Sequence, residues 1–166
     1  MQLYANPYDI SARGFYFESA EEFDEKYEKH LPVEEYEIEF IDGTDEEAAI
    51  FKVARIYQGQ VHDWFDGMDQ LEDYKLPAVY FLLYNNMVRS FSDAIQKADE
   101  LSYREGDVKA YAESFIDDMG GPAELGKQTL ENYFDYDAFA RDMELNGDVV
   151  EFEFAGQTFT ADPNSV

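Results

Sequence analysis

Cysteine is absent from the chain. That excludes a disulfide framework, a thiolate metal site and a cysteine nucleophile. Basic residues are scarce: 12 Lys and Arg stand against 38 Asp and Glu, for a formal net charge of −26. A cationic groove for nucleic acid therefore has no material to be built from, and the surplus repels both phosphodiesters and anionic lipid. Neither direct nucleic acid binding nor membrane association is expected. Long apolar runs are missing too. The longest, AVYFLLY at 78–84, falls far short of the roughly 20 residues a spanning helix needs. The opening MQLYANPYD lacks a basic segment followed by an apolar one, so no signal peptide is expected, and the chain reads as soluble and cytoplasmic. The two histidines, His30 and His62, sit in no ligand-spaced motif. Asp63, Asp66 and Asp69 in HDWFDGMD lack the acid spacing and terminal Glu of a calcium loop, so no metal and no cofactor is expected. G-x-S-x-G, P-loop, Rossmann and Cys–His signatures are all missing. With this many carboxylates, a pair at glycosidase separation arises by chance and carries no information. The expectation is a protein that is not an enzyme.

What is present is apolar and aromatic. Hydrophobic residues make up 45% and aromatics 17% of 166 residues, enough for a packed core despite the charge. The acids are spread along the chain. Residues 1–60 carry 15 acids and 5 bases, residues 61–105 carry 9 and 4, and residues 106–166 carry 14 and 3. An acidic tail would concentrate them in one block. The distribution instead points to an acidic folded surface, whose complement is a strongly basic partner.

Periodicity gives a coarse fold. Residues 2–5 and 14–18 read as short strands. Ser19 opens a helix in a capping-box pattern with Glu22, with Phe23 and Tyr27 on its buried face and Glu22–Lys26 and Glu25–Lys29 as i,i+4 pairs; Pro32 marks its end. EYEIEFI at 35–41 alternates as a half-buried strand, with Tyr36, Ile38 and Phe40 inward and Glu35, Glu37 and Glu39 outward. Thr44 and Glu47 form a second capping box, before a helix with Ile50, Val53, Ala54 and Tyr57 on one face. From Gly59 to Tyr103 the pattern is helical: an interrupted helix through WFDGMDQLEDY, a buried one at LPAVYFLLYNN, and a third capped by Ser92 with Ala94, Ile95, Ala98 and Leu101 inward. Asp107 caps the next helix, with Val108, Tyr111, Ala112, Phe115 and Met119 on its apolar face and Gly120–Gly121–Pro122 as its stop. Asp135 caps a further helix, stapled by Phe134 and Phe139, with Tyr136, Phe139, Ala140 and Met143 buried, an Asp137–Arg141 pair, and Gly147 at its end. VVEFEF–AGQ–TFTA reads as a β-hairpin turning at Gly156. The expected class is α+β with short antiparallel sheets, in three small units: an α+β unit at 1–59, a helical unit at 60–104 and an α+β unit at 105–166.

The carboxylates have a geometry of their own. Alternate residues on a strand stand about 6.6 Å apart, and successive phosphates of one DNA strand follow one another at roughly 7 Å along the winding path. Glu35, Glu37 and Glu39 thus form a row at near-phosphate spacing, and the helix edge Glu21, Asp24, Glu25 and Glu28 offers another. Duplex DNA carries one charge per about 1.7 Å, so −26 equals on the order of 13 base pairs. A rigid body bearing such rows could stand in for DNA in a basic channel. Two other readings fit the same composition: an acidic binder of some other basic DNA-binding partner, and a halophile-type domain whose charge serves solubility.

One segment is more specific. ENYFDYDAFARDMELNGD resembles the C-terminal motif of the ArdA antirestriction family, through Tyr133, Asp135, Tyr136, Phe139, Arg141, Asp142 and Gly147. GDVKAYAESFIDDMGG at 106–121 resembles the family's preceding helix and EEYEI at 34–38 its strand. The chain departs from the pattern after EEYEI, where EFIDGTD replaces a His-Asp-aromatic run, and in a shorter loop at 6–13. The resemblance implies a non-enzymatic, elongated, homodimeric DNA mimic, typically encoded on mobile elements, that blocks type I restriction–modification enzymes by occupying the DNA channel of their methyltransferase and specificity subunits. It also implies that the dimer forms through the third unit. Helix building accounts for about half of this motif, and Tyr133, Phe134, Asp135, Tyr136, Phe139, Arg141 and Gly147 are assigned to the structural motif of the dimer-forming unit. Asp142 and Glu144, with Asp117 and Asp118, are left over and are assigned to the phosphate-like surface.

Overall fold

A computed structural model describes residues 1–30, 35–118, 120, 132 and 134–166. Expectations placed on Pro32, Met119, Gly121, Pro122 and Tyr133 lie outside the described residues. Contacts divide the chain into two compact units, Met1–Ala98 and Asp99–Val166, where the sequence suggested breaks near 59 and 105. Both contain helices and a three-stranded antiparallel sheet, so the class is α+β with short sheets. Among the described residues, no helix is long and apolar enough to cross a membrane.

In the first unit, strands β1 (Gln2–Pro7), β2 (Phe15–Phe17) and β3 (Tyr36–Asp42) pair in the order β2-β1-β3. The alternation expected of β3 holds through Ile38, with Tyr36 and Ile38 buried and Glu37 exposed, whereas Glu39 and Phe40 are both half-buried. Gln2 then pairs with Asp42 and Leu3 with Phe40, which leaves Ile41 as an extra, exposed residue in a bulge. Helix α1 (Ala20–Lys29) follows β2 and is capped by Ser19, whose hydroxyl accepts from Glu22 N at 3.1 Å. The reciprocal half of the expected capping box differs: the Glu22 carboxylate accepts from Glu18 N at 2.7 Å. Helix α2 (Asp45–Ala54) has the full box between Thr44 and Glu47. It ends at Arg55, in the left-handed region (φ 53°), and Tyr57, expected on its buried face, lies beyond it and is exposed.

Helices α3 (Val61–Gln70), α4 (Leu76–Tyr84) and α5 (Phe91–Lys97) complete this unit. They share a core with the sheet. Phe17 meets Phe65 edge-on at 6.0 Å, and Trp64 sits between Phe51 at 5.2 Å and Phe91 at 4.9 Å. The fully buried Trp64 donates its indole N–H to Met1 Sδ. Helix α5 is capped by Ser90, which accepts from Asp93 N, and not by Ser92. The reason is burial: Phe91 is 2% exposed and must lie in the first turn to reach Trp64.

In the second unit, β4 (Ser102–Glu105), β5 (Val150–Phe154) and β6 (Gln157–Asp162) pair in the order β4-β6-β5. The segment read as helical up to Tyr103 therefore ends in a strand. Helices α6 (Val108–Asp118) and α7 (Tyr136–Asn146) pack through Val108, Ala112, Ala140, Met143 and Val149. Asp107 caps α6 by accepting from Ala110 N at 2.8 Å, and Asp135 caps α7 by accepting from Ala138 N at 2.9 Å. The staple forms, with Phe134 and Phe139 at 5.5 Å. Gly147 ends α7 in the left-handed region at φ 77°, a conformation with little cost for glycine. The expected Asp137–Arg141 pair is replaced by a tertiary one: Asp137 accepts from Lys109 of α6 at 2.9 Å.

The β5–β6 turn has positive φ at both central residues, 50° at Ala155 and 77° at Gly156. This is the backbone of a two-residue hairpin loop that favours Asn-Gly, and alanine is the strained member. Replacing Ala155 by Asn is expected to stabilise the protein by about 1 kcal/mol, read as a higher thermal unfolding midpoint by circular dichroism. Ala155→Val is expected to lower it.

Candidate acidic binding surface

The charge divides evenly between the two units. Residues 1–98 hold 21 acids and 8 bases, and residues 99–166 hold 17 and 4, so each is net −13. In the first unit, the outer face of α1 presents Glu21, Asp24, Glu25 and Glu28, all exposed. A rise of 1.5 Å per residue sets carboxylates three or four apart at about 4.5–6 Å along the axis. Helix α3 lies against α1, and His62 Nε2 stands 3.1 Å from Asp24 Oδ1. Asp63, Asp66 and Asp69 are also exposed on α3, and Asp63 and Asp66 line a groove with Ser92, Ile95 and Gln96 of α5. The spacing of the three aspartates in the sequence resembles a calcium loop only loosely. They lie on a regular helix whose opposite side buries Val61, Trp64 and Phe65, and that burial is the signal that would have marked them as surface.

On β3, Glu37 is exposed and Glu39 is half-buried, while Glu35 is exposed just before the strand. Glu39 accepts a hydrogen bond from Asn6 Nδ2 at 2.7 Å, and it lies opposite Tyr4, itself opposite Tyr16, with the two tyrosine rings 4.7 Å apart. The bulge at Ile41 ends the row after Glu39.

In the second unit, Asp117 and Asp118 are exposed at the end of α6, and Asp142 and Glu144 are exposed on α7. Asp118 is engaged within the chain, by a hydrogen bond and ion pair from Arg104, whose guanidinium also reaches Ser114 and lies over the Tyr111 ring. Of the motif residues described, Asp135 and Gly147 bound α7, Phe134 packs against both Tyr136 and Phe139, and Arg141 is exposed.

Several of the few cations are spent on individual acids. Lys26 pairs with Glu22, Lys29 with Glu25, Lys75 with Glu72, and Lys109 with Asp137. Hydrogen bonds keep several carboxylates ionised. Glu21 is held below the usual carboxylate range by its own backbone N–H and the Ser19 hydroxyl, helped by His62 and opposed by Asp24. Asp9 is lowered by the side chain and backbone N–H of Ser11. Among the described residues, no three His, Cys, Asp or Glu side chains converge on a point that could hold a metal.

A family model described as Antirestriction protein (ArdA) matches residues 15–155, most of the chain and nearly all of the surface just described. No curated protein and no solved structure matches.

Glu22 is held low first by the Lys26 ammonium and then by Glu18 N–H. A depressed carboxyl contributes stability above its unfolded value, near 4.5, and loses that contribution as pH falls through the lower folded value. Glu22→Gln is accordingly expected to lower the unfolding midpoint by a few degrees at most at pH 7, with the difference closing below about pH 4. Paired melts at pH 7 and pH 3 check this.

Proposed function

The chain belongs to the ArdA antirestriction protein family, and from that premise we propose that it acts as a DNA mimic. In this reading its acidic surface occupies the DNA-binding channel of a type I restriction–modification enzyme, at the methyltransferase and specificity subunits, and blocks both restriction and modification. It works by occupancy, without catalysis and without a cofactor, in the cytoplasm, as a homodimer joined through the C-terminal unit. The observation that carries the reading is a net charge of −13 on each of two folded units. The charge is displayed on regular elements, where α1 and β3 set the spacing of neighbouring carboxylates close to that of phosphates.

The physics of such an inhibitor is distributed. Each carboxylate replaces one phosphate contact, and counterions are released on both sides, so inhibition weakens as salt rises, much as DNA binding does. Competition between the purified protein and a DNA duplex for a type I methyltransferase tests it. The expected result is displacement of DNA by wild type, and a graded loss when Glu21, Asp24, Glu25 and Glu28 are changed to their amides one after another, each step costing a few-fold. Undisturbed DNA binding at low salt with excess protein would overturn the reading. So would complete loss from a single amide substitution, which is the signature of one dominant carboxylate.

A further inference from the structure

Helices α6 and α7 leave an open cleft of about 210 Å³ in the second unit. Its walls include the rings of Tyr111, Phe115 and Phe139 and three carboxylates, Asp142, Asp148 and Asp162. Phe115 is 39% exposed, although it lies on the apolar side of α6, so a large ring stands uncovered in a cleft whose charged groups are all anionic. We infer that this cleft receives a single arginine side chain from a basic protein partner.

Size, charge and ring chemistry select that occupant. The volume lies below the several hundred Å³ typical of small-molecule sites and suits one long side chain. Three carboxylates with no lining cation exclude an anion and favour a cation. Aromatic walls favour guanidinium over ammonium, because the planar, weakly hydrated guanidinium stacks on ring faces and its stem covers apolar surface. The same unit already holds one such arrangement internally: Arg104 lies 6.0 Å from the Tyr111 ring centroid while bonding Asp118 and Ser114, and Arg104 is not among the residues lining the cleft. Asp142, which helix building left unexplained, thereby gains a task more specific than a share of the surface field.

The inference rests on the mimic reading for the partner's identity, and the test separates the two. Phe115→Ala conserves charge, so a surface acting by charge alone is indifferent to it. The full-length variant, with its fold checked by circular dichroism and its dimerisation matched to wild type by sedimentation, is expected to compete for the methyltransferase about tenfold less well than wild type, the scale of one desolvated cation–π contact. Unchanged competition, where wild type competes, overturns the inference and leaves the mimic reading standing. Independently of that enzyme, N-acetyl-arginine amide titrated into the wild-type protein is expected to shift NMR signals of Tyr111, Phe115 and Phe139, with a weaker effect from N-acetyl-lysine amide and none at these rings in Asp142→Asn/Phe115→Ala. If wild type fails to compete, the mimic reading falls and this titration alone decides the cleft. Shifts that are absent, or equal for the two amides, overturn it.

Discussion

The constraint on which this structure depends is that a chain of net −26 must fold against its own field. Two neighbouring carboxylates at 6–7 Å in water repel by about 0.6 kcal/mol, and by roughly half that at physiological salt. Burying one large aromatic side chain offsets several such pairs, at about 2–3 kcal/mol each. The chain uses this asymmetry directly. Its core is built from rings in mutual contact: Phe15, Phe17, Phe23 and Tyr36 under the first sheet, Phe51, Trp64 and Phe91 among the helices, and Phe152, Phe154 and Phe159 on the second sheet. The acids can then be displayed outward although cations are far fewer than acids.

Cations are used locally. Lysines answer single carboxylates one helical turn away or across a helix pair, as Lys26 does for Glu22 and Lys109 for Asp137, and the remaining surface keeps its sign. Caps and hydrogen bonds serve the same end. The Ser19 hydroxyl both starts α1 and helps keep Glu21 ionised. A side chain that starts a helix thus also favours the charged form of one acid of the proposed contact surface. For an antirestriction protein this arrangement places a persistent negative field on rigid elements. The cleft between α6 and α7 adds a place where shape selects among basic side chains.

Much of the fold was legible because helix starts and strand faces are written in neighbouring residues. Ser19, Thr44, Asp107 and Asp135 cap where the spacing predicts, and the hairpin turns at Gly156. The misreadings share a cause. Ser90 and Ser92 are both plausible caps by local rules, and only the burial of Phe91 against Trp64 chooses between them. The strand Ser102–Glu105 has no alternation of its own and exists because β6 pairs with it. Asp137 had two cations within reach, and the tertiary one, Lys109, took it.

Sequence by itself determined the sign and size of the field, the aromatic answer to it, the class of fold and the family, because charge is a sum and caps, alternation and motif spacing are short-range. Tertiary structure decided which acids share a face, which are consumed by Arg104 or Asn6, and that a ring-lined, carboxylate-bearing cleft opens beside Asp142. Those outcomes depend on segments distant in the chain meeting in space, as α1 meets α3 through Asp24 and His62. Residues that meet only by folding leave no periodicity to read.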